Sequence, residues 1–179
     1  MRTAAALLVS AAIAMAASGV AVSGATERAR ASQAVDECAL LTDAQAKTIM
    51  GVEPFGSGSP DNGGCSWGTD PSDRSHLAYV VVNVDPKAKL LKRYGGDLRR
   101  YFDESTNVGI DPLPALGKGA ISIYDPLTGP GASSGVAIVV GKNVLRIEYQ
   151  PTDRVLNPSP QFDAIVKVAK KVVAKLRKA

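Results

Sequence analysis

Two cysteines, Cys38 and Cys65, are the only ones in the chain, and whether they bond decides what the N-terminal part of the fold can be. A bond between them closes the intervening segment and restricts the unfolded chain, an effect of roughly 3–4 kcal/mol in the chain-entropy treatment. Such pairing is expected in an oxidising compartment and is rare in the cytosol. Neither cysteine lies in a C-x-x-C motif or beside a histidine that could activate it, so nothing supports a reactive thiol. The question becomes one of compartment.

The N-terminus answers it. Arg2 supplies a positive start, residues 4–17 form an uncharged, alanine-rich apolar run, and small residues follow. Ser23-Gly24-Ala25 and Ala29-Arg30-Ala31 both offer a cleavage site of the small-x-small type. The apolar run is shorter and more alanine-rich than the roughly 20 strongly apolar residues of a membrane span. The expectation is a signal peptide over 1–25, with cleavage as late as 31, a flexible stem over 26–35, and one domain over 36–179. Export then makes Cys38–Cys65 a disulfide.

Charge narrows the partners. The net charge is +4, of which Arg2 leaves with the leader. This mild excess is far from the clustered basic character of a dedicated nucleic-acid binder. Aromatic residues make up only 5%, so the core must be built from Val, Ile, Leu and Ala.

Along the domain, Thr42 and Gln45 form a capping box ahead of Ala46, Ile49 and Met50, and Gly51 ends that helix. Residues 54–64 read as a Gly, Ser, Pro and Asn loop. Strands are expected over 64–69, around Cys65 and Trp67, and over 77–84, a nearly continuous β-branched run. Asp85 and Pro86 look like the N-cap and first residue of a helix carrying Leu90, Leu91, Tyr94, Leu98, Tyr101 and Phe102, which Gly95-Gly96 should weaken or kink. Past a turn-rich stretch over 107–117 come strands over 119–125, 135–140 and 144–150, the last two a hairpin around Gly141-Lys142-Asn143. The terminal helix sets Ile165, Val166, Ala169, Val172, Val173 and Leu176 against Lys167, Lys170, Lys171, Lys175 and Lys178. The fold class is α+β, a single antiparallel sheet of about five strands packed against helices in the order α-β-β-α-β-β-β-α.

Candidate chemistry is sparse. His76 is the only histidine, too few for a metal site once both cysteines are bonded. A Ser-His-Asp triad would need that same histidine, and no nucleophile elbow accompanies it. The adjacent pairs Asp36-Glu37 and Asp103-Glu104 do not face one another on a helix and suit capping or solvation. Gly56, Gly58, Gly63 and Gly64 precede a strand, so they are not a phosphate cradle at a helix start. No catalytic, metal or cofactor residue is assigned. Two basic faces remain, Lys87, Lys89, Lys92, Arg93, Arg99 and Arg100 on the middle helix and the five lysines of the terminal one. They read first as solvated faces, with contact to an anionic envelope polymer or headgroup as the sharper alternative.

Cys38-Ala39-Leu40-Leu41-Thr42-Asp43-Ala44-Gln45, then Gly51, then Cys65-Ser66-Trp67, resembles the signature of the actinobacterial exported proteins and lipoproteins grouped as domain of unknown function 3558. The run from Leu113 through Gly117-Lys118-Gly119-Ala120 is similar to that family's later turn into a strand, and the likeness extends over about residues 36–178. The resemblance implies a cell-envelope location and no established activity. Ala25 stands where a lipoprotein of that family carries its lipid-bearing cysteine, which implies a chain that is not lipidated and has no stable membrane anchor. The resulting expectation is a secreted or wall-associated, non-catalytic binding or interaction module without a cofactor, its partner an envelope component or a small ligand. An extracellular enzyme acting on a wall or secreted substrate, and a basic-surface binder of anionic polymers, are the alternatives.

Overall fold

A computed structural model of the chain describes residues 35–178, apart from 62, 73–76, 125–133 and 152–159. Helices α1 (Glu37–Leu40) and α2 (Asp43–Met50) come first, followed by strands β1 (Ser59–Asp61), β2 (Gly64–Gly68) and β3 (Ala78–Pro86). Helices α3 (Lys87–Leu90) and α4 (Leu98–Ser105) follow, with a 3-10 turn at Lys92–Tyr94 between them. Strands β4 (Gly109–Pro112), β5 (Ile121–Tyr124), β6 (Ser134–Val140) and β7 (Asn143–Pro151) precede the terminal helix α5 (Pro160–Leu176). The expected leader and stem, and His76, lie outside the described residues.

All seven strands form one antiparallel sheet in the order β1-β2-β3-β7-β6-β5-β4. Two meanders meet where β3 pairs with β7, from Ala78 opposite Pro151 to Pro86 opposite Asn143. The β-branched run of β3 and the alternation of β7 explain why these two are central. The sheet is larger than the expected five strands because β1 and β4 were read as loops. Each holds a proline, Pro60 or Pro112, and each lies at a sheet edge. Proline lacks the N–H of a two-sided ladder and is tolerated where only one side is paired.

The capping box forms as expected: Gln45 N–H donates to Thr42 Oγ1 at 3.3 Å, and Thr42 N–H donates to Gln45 Oε1 at 2.9 Å. Gly51 ends α2 in the left-handed conformation. Ahead of it, Asp36 caps the extra short helix α1. The middle helix differs from expectation in two ways. Gly95 (φ 64°) and Gly96 (φ 82°) are both left-handed, which no right-handed helix accommodates, so the segment splits and Asp97 caps a new helix at Arg100 N–H. Asp85 does not cap; it stays in β3 with its carboxylate 3.5 Å from Arg146, and Pro86 occupies the cap position without a side-chain bond.

Helices cover both sheet faces. On one, α1, α2 and α5 bury Trp67, Val80, Val82, Ile138, Leu145 and Ile147. On the other, α3 and α4 pack Leu91, Leu98 and Phe102 over Ile121, Ile123, Ala137 and Val144. This second cover stops short of the β2–β3–β7 end, where Tyr79, Val81, Asn83, Arg146 and Glu148 stay partly exposed. The Cys38–Cys65 disulfide ties α1 to β2. Trp67 is pinned from α2, its indole N–H donating to Asp43 Oδ1 at 2.8 Å. Burial along α5 follows the expected stripe, with Val168 also buried and Val166 only partly so. No helix among the described residues is long and apolar enough to cross a membrane.

Candidate functional site

The break at Gly95-Gly96 shapes a sizeable concavity. It turns the chain so that the start of α4 faces the segment entering β5, and an open groove of about 680 Å³ lies between them. One wall is Gly95, Gly96, Asp97, Leu98 and Arg99; the other runs from Pro112 through Lys118 to Ile121, with Val139 of β6 also contributing. This volume lies within the roughly 300–1,000 Å³ of small-molecule sites.

The second wall is held rigidly. Pro114 opens a 3-10 turn at Pro114–Leu116, and Gly117 N–H donates to Pro114 O at 3.0 Å. Leu113 N–H donates to Ala120 O at 2.8 Å and so closes the loop at its base. Leu116, buried among the residues packed with α5, anchors it to the main core. The first wall is fixed by Leu98, buried in the opposite core, and by the Asp97 cap at 3.1 Å.

Electrostatically the groove has an apolar floor and a charged mouth. Leu98 and Ile121 are buried and Val139 partly so, whereas Asp97, Arg99 and Lys118 are exposed. Neither Arg99 nor Lys118 has an ion-pair partner among the described residues. Their neighbour Arg100, by contrast, is paired with Glu104 one turn along α4.

A second, smaller concavity of about 150 Å³ lies at the other end of α4, lined by Asn107, Gly135 and Glu148 among others. Ser134, buried there, has a hydroxyl with no partner among the described residues. Beside it on the half-covered face, Arg146 lies 3.5 Å from both Asp85 and Glu148, and Gln150 donates to Glu148 at 3.2 Å. An arginine between two carboxylates hydrogen-bonds each of them and offsets their mutual repulsion. No group of three His, Cys, Asp or Glu among the described residues is placed to hold a metal ion.

Apart from Arg99, the candidate site residues singled out in the sequence fall elsewhere. Cys38 and Cys65 are bonded. Lys167, Lys170, Lys171 and Lys175 are exposed along α5 and Lys178 is exposed in the turn after it, and Lys175 donates to the Ala39 carbonyl, fastening α5 to α1. Asp36 caps α1, Glu104 pairs with Arg100, and Asp103 is exposed. The groove was missed because its halves are separate in sequence, and Arg99 was counted with a solvated face. The available signal was Gly95-Gly96-Asp97, two glycines and a helix cap that together mark a break.

No family model matches the chain, and neither a curated protein nor a solved structure matches it.

Proposed function

We propose that the chain is an exported, non-catalytic binding module of the cell envelope that holds a small ligand in the groove beside α4. The observation that carries this is the groove itself, about 680 Å³ of space with an apolar floor. Sites of that size with few polar groups suit capture of a ligand with an apolar body. The non-catalytic reading rests on the lining. Its ionisable groups among the described residues are Arg99, Lys118 and Asp97, two cations and a carboxylate already engaged as a cap, with no nucleophile and base beside each other.

Export is supported by the N-terminal run of residues 4–17 and by the disulfide, which suits an oxidising compartment. The resemblance over residues 36–178 to the exported family of domain of unknown function 3558 supports an envelope setting, and Ala25 supports a chain without lipid. Polyanion binding along α5 is the second reading, favoured by its row of exposed lysines.

The test uses a neutral apolar fluorophore, N-phenyl-1-naphthylamine, titrated into the purified protein. Fluorescence should rise to saturation, and Val139→Phe, which fills the groove from a partly exposed β6 position, should abolish the rise in protein that circular dichroism shows to be folded. Saturation that survives Val139→Phe overturns the groove as the site.

A further inference from the structure

We infer that the ligand of this groove is an amphipathic anion, its apolar body lying on Leu98, Ile121 and Val139 and its single negative end group held between Arg99 and Lys118. The inference rests on the groove reading and adds the chemical class of the ligand.

Charge is the first argument. Arg99 belongs to the first turn of α4 and Lys118 to the loop before β5, so the two cations line opposite walls of one groove. Neither has an ion-pair partner among the described residues, although Arg100 and Arg146 do. Two cations that line one concavity and have no ion-pair partner among the described residues attract an anion and repel a cation. Asp97 also lines the groove, but its carboxylate already accepts the Arg100 N–H at 3.1 Å. The mouth therefore keeps one net positive charge, and the positive end of the α4 peptide dipoles adds to it.

Size and polarity are the second argument. A simple inorganic anion would satisfy Arg99 and Lys118 but leave most of about 680 Å³, and its apolar floor, in water. A neutral apolar ligand would cover Leu98, Ile121 and Val139 but leave the net positive charge of the mouth without a counter-charge, which costs free energy as the cations lose solvent. A molecule with an apolar body and one carboxylate or phosphate meets both conditions. The end group gains charge-assisted hydrogen bonds, and the body gains the burial.

The test compares four probes on the purified protein by calorimetry and by displacement of the neutral fluorophore: dodecanoate, dodecanol, dodecylammonium and inorganic phosphate. Dodecanoate should bind about tenfold tighter than dodecanol, the amount expected of one charge-assisted contact, and the preference should shrink in high salt. Phosphate alone should not displace the fluorophore. In Arg99→Gln/Lys118→Gln, dodecanoate should weaken about tenfold. In Arg99→Glu/Lys118→Glu, the preference should pass to dodecylammonium. Equal binding of dodecanoate and dodecanol, abolished for both by Val139→Phe, would overturn the anion inference and leave the groove standing. Binding of neither, or binding of both that survives Val139→Phe, would overturn the groove and the inference together. Phosphatidylglycerol vesicles separate the source: a protein that sediments with vesicles yet ignores monomeric dodecanoate recognises a bilayer surface, which refutes a groove for single amphiphiles.

Discussion

Reducing the Cys38–Cys65 bond should lower the stability of the domain by about 3.5 kcal/mol. The cysteines are 27 residues apart, and the loop-closure expression for that length gives an entropy near 12 cal/mol/K, or about 3.5 kcal/mol at 25 °C. Cys65 is fully buried in β2, opposite Val82, and Cys38 is partly buried beside the same core. Reduction keeps both side chains in place, so the loss is charged to the unfolded chain and not to a cavity. For a domain of this size each kcal/mol moves the melting midpoint by roughly 2–4 °C, so a drop of about 10 °C is expected. The assay is thermal unfolding followed by circular dichroism, with and without a phosphine reductant, and with thiol titration confirming two free thiols after reduction. Cys38→Ala/Cys65→Ala, which also loses buried sulfur, should melt at or slightly below the reduced protein. Midpoints that agree within about 2 °C would refute the reasoning, because the bond would then fasten only the short helix α1 without constraining the unfolded ensemble.

A β-carbon at Gly58 would lie 2.3 Å from Cε2 and Cζ2 of Trp67, a residue that is 2% exposed. Gly58→Ala should therefore cost about 1–3 kcal/mol, read by urea unfolding, and should shift the emission of Trp67, the only tryptophan. Truncating Val172, fully buried on α5, to Ala should cost roughly 1–5 kcal/mol, whereas Lys170→Gln/Lys171→Gln should move the melting midpoint by no more than about 1 °C. If that lysine variant folds normally but loses a measured affinity for anionic wall polymer, the α5 face is a binding site and not merely a solvated one. The Asp43 carboxyl is held below its ordinary value of 3.8, first by the Trp67 indole and then by the Ser57 hydroxyl. A lowered folded value gives stability that is present above 3.8 and lost as pH falls through the folded value, so acid titration of native protein should show this loss below pH 3.8 and Asp43→Asn should not.

Short-range patterns were readable in the sequence. Thr42 and Gln45 specify a helix start because the partners are three residues apart and bond within one turn. Residues 144–150 alternate and α5 repeats at helical spacing, so each buried face could be named before the sheet was known. The Cys38–Cys65 bond followed from composition and compartment alone.

Edges and the groove were decided by tertiary structure. Strands β1 and β4 have compositions that no local rule favours, and they are strands because β2 and β5 present unpaired backbone to them. Gly95-Gly96 announced a weak helix, yet only the packing of Leu91 and of Leu98 and Phe102 onto one sheet face selects the left-handed turn between them. Arg99 reads as part of a solvated face and Lys118 as part of a turn until β5 and β6 pair and α4 docks across them, which brings the two into the lining of one groove. Local sequence determines what each segment can become, because capping and periodicity act over a few residues; which distant segments share a concavity depends on the pairing order of the sheet, and that order is settled by the burial of the whole chain.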